Sequence, residues 1–192
     1  MSNSLGRRSS FLFLIAALMF LASCDSNSSG GGDTIFLTHE ISEAADGKPI
    51  QFTFSSSQIQ IGTLQDVRCN CDIDIGPYLA TQSFTKEEII SVNVTAAELV
   101  MLFPINKDLT FLNAAILKLE GIKNTITEVA NQPNFPSARE SSLIVLPNRD
   151  VAGFFTRPSF GAILQIDAIT LDDDENYQIG LVLTVLIEVA GI

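Results

Sequence analysis

From Thr34 onward, apolar and polar residues alternate over most of the chain, and this period of two is typical of β-strands with one buried face. Phe52 and Phe54, for example, share one face of a predicted strand, whereas Gln51 and Thr53 share the other. The alternation predicts strands at 50–54, 58–62, 66–75, 89–103, 113–120, 122–129, 141–146, 160–171 and 177–189. We therefore expect an all-β fold, an antiparallel β-sandwich of about eight or nine strands with short helical turns, in a single domain over 34–192.

Two interruptions of the pattern predict local features. Within 89–103 the alternation shifts near Ala96 and Ala97, which indicates a β-bulge or bend, and Pro104 ends the strand. Asp108 is a candidate N-cap for a helical turn over 109–113 that leads into the next strand. Another helical turn is expected over 86–88.

The two C-terminal segments, 160–171 and 177–189, predict a hairpin. Every second residue of 177–189 is apolar, and Val182 and Leu186 make the opposite face apolar as well. We therefore expect the last strand to be central and covered on both faces.

The predicted hairpin turn is acidic, with the residues Asp172, Asp173, Asp174 and Glu175. Carboxylate oxygens are the ligands that calcium prefers, so these four residues are a calcium candidate. They lack the spacing of a calcium-binding loop. A charged turn that discourages edge-to-edge aggregation is the interpretation we favour.

Cys69 and Cys71 lie on the core-facing side of the predicted strand over 66–75. In a regular strand, side chains two residues apart are separated by about 7 Å, because the rise is about 3.3 Å per residue. A disulfide requires Cβ atoms roughly 3.5–4.5 Å apart. Either the strand is regular and both thiols are unpaired core residues, which we favour, or the chain kinks and closes a disulfide. Metal binding by this pair is disfavoured, because His39 is the only histidine.

The N-terminal segment has Arg7 and Arg8, then the apolar run Phe11–Ala22, and then Leu-Ala-Ser before Cys24. This order resembles a bacterial lipoprotein signal peptide. The resemblance implies that residues 1–23 are removed, that Cys24 is acylated, and that the protein is anchored in the cell envelope, at the outer membrane or facing the periplasm. The run of about 12 apolar residues is shorter than the roughly 20 that span a bilayer. An ordinary secretory signal and a buried N-terminal helix are the alternatives.

Residues 24–33 are rich in serine and glycine, and we interpret them as a flexible tether. The full chain has a net charge of −11, and removal of residues 1–23, which hold Arg7 and Arg8 but no acid, makes it −13. An acidic surface of this kind repels nucleic acid and anionic lipid headgroups.

The sequence supplies little reactive chemistry. His39 is the sole candidate for a catalytic base, and we expect it to be a solvated residue beside Glu40. Nucleophile-elbow, phosphate-binding and zinc-protease motifs are missing from the sequence. We therefore predict no catalytic residue, no cofactor and no enzyme activity.

Three functions remain as hypotheses. The first is a non-catalytic, membrane-anchored envelope protein with a binding or structural role, whose partner is another envelope protein. The second is a carrier of an apolar or lipid-like ligand, because 10 of the 13 phenylalanines lie after residue 23. An envelope glycosidase is a distant third, since it requires two carboxylates that face one cleft.

Residues 74–84 align without gaps on residues 150–160, with Asp, Ser and Phe identical. We call this similarity the internal echo, and either chance or an internal duplication explains it. Each copy is predicted to be a crossover between strands. The order of a long strand, an F-L-N-A turn, the segment D-V-A-G-F-F and a terminal hairpin resembles uncharacterised envelope lipoproteins with a β-sandwich body. The resemblance covers roughly residue 75 to the C-terminus and implies no activity.

Overall fold

Ten strands account for about half of residues 33–191, which are the residues that this computed structural model describes. The strands form two antiparallel sheets of five strands each. The predicted all-β sandwich is confirmed, with ten strands where about eight or nine were expected.

Sheet 1 consists of β1 (Thr34–Ile41), β2 (Gln51–Ser55), β4 (Ile89–Phe103), β7 (Glu140–Ser142) and β10 (Asn176–Ala190). Sheet 2 consists of β3 (Gln65–Arg68), β5 (Leu112–Glu120), β6 (Ile126–Gln132), β8 (Ile144–Val145) and β9 (Gly161–Ala168). Two short α-helices, α1 (Gly76–Thr81) and α2 (Ala152–Phe155), connect strands. None of the helices formed by residues 33–191 has the length and hydropathy needed to cross a membrane.

The long strand β10 is the centre of sheet 1. On one side it pairs with β4 along almost its whole length, and on the other side it pairs with β1 and then β2. Because β1 and β2 both run antiparallel to β10, they lie end to end along the same edge of the sheet. Residues 42–50 interrupt this edge as a small loop, in which Glu43 bridges to Pro49.

One hydrophobic core fills the space between the sheets. The inward residues of β10 from Ile179 to Val189 are at most 1% exposed. At one end, Tyr177 stacks on Phe54 with ring centroids 5.3 Å apart and contacts Phe111 at 4.9 Å. The Tyr177 hydroxyl oxygen accepts a hydrogen bond from the Asp172 backbone N–H at 2.9 Å, so the buried phenol has a polar partner.

Several local predictions are confirmed. β4 covers residues 89–103, and its pairing with β10 shifts register at Thr95, beside the predicted bulge. A 3₁₀ turn over Leu109–Phe111 precedes β5, and the Asp108 carboxylate accepts a hydrogen bond from the Thr110 N–H at 3.0 Å. The turn predicted over 86–88 is also a 3₁₀ helix.

Several predictions about the strands are wrong. The single strand predicted over 141–146 is two short strands, β7 and β8, in different sheets. Residues 58–62 form no strand, and part of the predicted connector after residue 75 is the helix α1. The predicted terminal hairpin does not exist, because β9 lies in sheet 2 and β10 lies in sheet 1. The connecting residues 169–175 are long enough to cross the roughly 10 Å between packed sheets.

The two segments of the internal echo both contain a short helix. α1 leads towards β4 in sheet 1, whereas α2 leads to β9 in sheet 2. Tyr78 of the first copy is half-buried, and Phe154 of the second is buried. The copies therefore share a local conformation but lead into different sheets.

His39 on β1 is half-buried, so the prediction of a solvated histidine is wrong. Its ring stacks on the Tyr78 ring of α1, with centroids 3.8 Å apart and an interplanar angle of 6°. The Tyr78 hydroxyl donates a hydrogen bond to the Thr38 carbonyl at 3.1 Å, which fixes α1 against β1. Burial lowers the pKa of His39 below its usual value of 6.5.

This lowered pKa predicts a pH-dependent part of the stability. Because the unfolded chain takes up a proton at His39 more readily than the folded chain, the free energy of unfolding rises with pH. The contribution is fully present above about pH 6.5 and is lost as the pH falls through the lower pKa of the folded state. His39→Phe keeps an aromatic ring against Tyr78 but does not titrate. Urea unfolding at a series of pH values should therefore show a weaker pH dependence for this variant, and parallel profiles would contradict the prediction.

Candidate functional site: an apolar sheet face and a disulfide-lined cleft

The outer face of sheet 1 brings together outward apolar side chains of three neighbouring strands. Residues that alternate with the buried ones point away from the core. We define this outer face by Phe36, Glu40, Ala96, Glu98, Val100, Leu102, Val182, Leu186 and Glu188. Phe36 is 61% exposed and Leu102 is 36% exposed.

Val182 and Leu186 stand at the middle of this outer face, on the central strand β10. Both are partly exposed, whereas the inward residues of β10 are buried, so the prediction that β10 is covered on both faces is wrong for the part of the chain that the structure describes. Sequence periodicity identifies the outward apolar residues but does not reveal whether another layer packs on them.

The outer face of sheet 1 is also free of cations. The five strands of this sheet contain no lysine or arginine, whereas Glu40, Glu98, Glu140 and Glu188 point outward from them. The Glu188 carboxylate accepts a hydrogen bond from Ser91 at 2.7 Å. Apolar residues on this surface alternate with the polar residues Thr38, Asn93 and Thr184, and the charged residues of its strands are all glutamates. A count of basic residues strand by strand would have indicated it from the sequence.

Sheet 2 presents a different outer face. Arg68 pairs with Glu120 at 3.2 Å, and Lys118 pairs with Asp66 at 3.4 Å. Ile163 points the same way but is 0% exposed, because it lies between Arg68 and Lys118 in the strand register. Long charged side chains often cover an apolar residue in this way. Ile126 on β6 and Ile144 on β8 are exposed, so the apolar residues that the charged pairs cover are those near the centre of sheet 2.

The second candidate site is formed where the predicted strand over 66–75 breaks. β3 ends at Arg68, and a disulfide joins Cys69 to Cys71, with 5.2 Å between their Cα atoms. Of the two alternatives left open by the sequence, the kinked ring is the one present, and the regular strand with unpaired thiols is wrong.

The kink coincides with a change in the hydrogen bonding to β9, which is close in space but distant in sequence. The Cys69 N–H donates to the Ala162 carbonyl at 3.0 Å, but the Ala162 N–H donates to the Cys69 sulfur at 3.3 Å. The pairing resumes at Ile73, which exchanges two hydrogen bonds with Phe160. The sequence carries no signal for the identity of these partners.

A surface cleft of about 630 Å³ opens at the disulfide, and we call it the cysteine cleft. It is lined by Ala45, Asp46, Cys69, Asn70, Cys71, Asp72, Glu120 and Gly161. The 42–50 loop forms one wall, because the Ala45 N–H donates to the Asp72 carbonyl at 2.7 Å. Gly47 adopts φ = +75° in this loop, a conformation that favours glycine.

Charged groups in and beside the cysteine cleft are mostly paired. Asp46 contacts Lys48 at 2.6 Å, and this hydrogen bond lowers the pKa of Asp46 and raises the pKa of Lys48. Glu120 is paired with Arg68, and Asp72 accepts a hydrogen bond from Ser159 at 3.4 Å. A glycosidase requires one carboxyl group that carries a proton for the leaving group, and Asp46 is held in its charged form instead.

The disulfide contributes little to folding through chain entropy. A three-residue ring removes little freedom from the unfolded chain, and the loop-closure relation gives roughly 1–2 kcal/mol, compared with about 3 kcal/mol for a 15-residue loop. Stabilisation alone is therefore a modest reason for these cysteines to pair in a cleft.

The remaining predicted site residues are not brought into either surface. Asp172 pairs with Lys107, which lowers the pKa of Asp172. Residues 33–191 contain no group of three or more histidine, cysteine or acidic side chains placed to hold a metal ion, so the four acids at 172–175 form no such site there. Cys24 and the predicted signal peptide lie outside the described residues.

Comparison of the chain with protein families, curated proteins and solved structures finds no match. What the chain does is therefore inferred from its own residues.

Proposed function

We propose that this protein is a non-catalytic, lipid-anchored binding domain of the bacterial cell envelope. Cys24 is its anchor to the membrane, residues 24–33 are its tether, and the sandwich presents the outer face of sheet 1 to another envelope protein. The contact surface of that partner combines an apolar centre with basic residues around it.

The observation that carries this proposal is the partly exposed pair Val182 and Leu186 on the central strand of sheet 1. A central strand normally has the most thoroughly covered side chains of a sheet, and exposed apolar patches mark interaction sites. Phe36 and Leu102 extend the apolar surface to the neighbouring strands.

The charge on the outer face of sheet 1 indicates the class of partner. The strands of sheet 1 carry outward glutamates and no cation, so a basic surround on the partner is complementary to them. A second copy of the chain is disfavoured, because two such faces repel each other and the chain without residues 1–23 has a net charge of −13. Anionic lipid headgroups are disfavoured for the same reason.

The other two functions have less support. A carrier of an apolar ligand requires an enclosed apolar cavity of roughly 300 Å³ or more. The cysteine cleft is large, at about 630 Å³, but it is open at the surface and lined mainly by polar groups. A glycosidase is disfavoured by the ion pairs that hold Asp46 and Glu120.

Site-specific photo-crosslinking in cells tests the binding face. A photoreactive residue at Val182 should give an adduct with a second protein, whereas one at Gln165, on the outer face of sheet 2, should not. In the Val182 chain, Leu186→Lys should reduce the adduct yield about tenfold or more, because it buries a charge and opposes basic residues of the partner. The crosslinked peptide of the partner should lie beside lysine or arginine.

Three results would contradict the proposal. These are an adduct of the chain with itself, equal adducts from both positions, and a yield that Leu186→Lys leaves unchanged.

A further inference from the structure

The Cys69–Cys71 disulfide differs from a structural disulfide in its position. It closes a ring with one intervening residue, and it lines the cysteine cleft with both cysteines half-buried. A disulfide exchanges when a thiolate approaches one of its sulfur atoms along an open path. The cleft, of about 630 Å³, provides the room for such an approach.

The two sulfur atoms have different environments. The Cys69 sulfur accepts a hydrogen bond from the Ala162 backbone N–H at 3.3 Å. A hydrogen bond to a sulfur stabilises its thiolate form. Cys69 is therefore the better leaving group, and Cys71 is the sulfur that an incoming thiolate attacks.

We propose that the cysteine cleft is a site of thiol–disulfide exchange with thiols that carry positive charge. The carboxylates of Asp46, Asp72 and Glu120 line the cleft, and Asp72 is bonded to a neutral hydroxyl whereas the other two are paired with Lys48 and Arg68. The charge of Asp72 therefore favours a cationic thiol over an anionic one. This activity is separate from binding at the outer face of sheet 1, and neither requires the other.

The exchange is balanced in two steps. A substrate thiolate attacks the Cys71 sulfur, the Cys69–Cys71 bond breaks, and the Cys69 sulfur leaves as a thiolate that takes a proton from water. A second substrate thiolate then attacks the substrate sulfur of the mixed disulfide and releases Cys71 as a thiolate. Two substrate thiols are oxidised to one disulfide, and the Cys69–Cys71 disulfide is reduced to two thiols.

The test uses the full chain with Cys24→Ser, so that Cys69 and Cys71 are its only cysteines. Its probes are cysteamine, which is cationic, and 3-mercaptopropionate, which is anionic and of similar size. We expect reduction by cysteamine to be about tenfold faster, per thiolate, than reduction by 3-mercaptopropionate. Mass spectrometry of the acid-quenched intermediate should place the adduct on Cys71.

Two pairs of variants separate the cleft from the net charge of the chain. Asp46→Asn with Asp72→Asn should lower the preference for cysteamine at least about threefold. The matched control, Asp173→Asn with Asp174→Asn, removes the same charge from the turn before β10 and should leave the preference unchanged. Equal effects of the two pairs would overturn the assignment of the cleft as the recognition site.

A destabilised variant shows whether the folded protein reacts. If the disulfide is reached in the native cleft, Ile187→Ala should leave the rate of reduction by cysteamine within about twofold. If the chain must unfold first, the same variant should raise the rate roughly thirtyfold or more, which would overturn the proposal. Adducts divided equally between Cys69 and Cys71 would also overturn it.

Discussion

Replacing Ile187 by alanine is expected to lower the free energy of unfolding by about 2–5 kcal/mol. Ile187 lies on the inward face of β10 and is 0% exposed. Its removal leaves a cavity in a core that β1 and β4 border on either side of the central strand. Because both neighbours are held by long ladders of hydrogen bonds, the space cannot close readily. Urea or thermal unfolding of the two chains measures the loss.

The adjacent residue supplies a matched control. Leu186 is on the same strand but points outward and is partly exposed. Leu186→Ala is therefore expected to cost roughly 1 kcal/mol or more less than Ile187→Ala, because its side chain loses less buried area. Equal losses for the two variants would mean that the outer face of sheet 1 is covered in solution, and would also remove the support for the proposed binding face.

Replacing Cys24 by alanine is expected to abolish incorporation of labelled palmitate and to release the protein from the membrane fraction. The resemblance of the N-terminal segment to a lipoprotein signal peptide implies that Cys24 is the acylated residue. The lipids that the resemblance places on Cys24 are the expected anchor. Radiolabelling followed by fractionation measures both effects.

Cysteine substitutions in the cleft are the control for this result. Cys69→Ser with Cys71→Ser should leave palmitate incorporation and membrane association unchanged, because the cleft takes no part in anchoring. Unlabelled wild-type protein in the soluble fraction would indicate an ordinary secretory signal instead. Retention of residues 1–23 in the mature chain would indicate a buried N-terminal helix.

Much of the fold follows from local patterns in the sequence. The alternation of apolar and polar residues suffices to predict the sandwich, because the period of two determines which side chains share a face. The register shift at Thr95 and the turn at Leu109–Phe111 could also be predicted. A break in the alternation marks the first, and a capping residue marks the second.

The features that escaped prediction depend on residues distant in sequence. β9 and β10 are adjacent along the chain, and only their different partners, β5 and β4, place them in different sheets. The kink at Cys69 depends on the Ala162 N–H, which is 93 residues away. His39 is half-buried because α1 brings Tyr78 onto it, and a pattern around His39 alone cannot indicate this contact.

The interruption of the sheet 1 edge at 42–50 has a consequence for crowding. Lipid-anchored molecules share a plane, so neighbours meet repeatedly and side by side. A continuous edge strand would offer each neighbouring molecule a template for strand pairing, and thus for polymerisation. Here the exposed stretch of β1 stops at Ile41, and the loop that follows bends back to the Asp72 carbonyl. The interrupted edge therefore disfavours the joining of neighbouring molecules along this side of sheet 1.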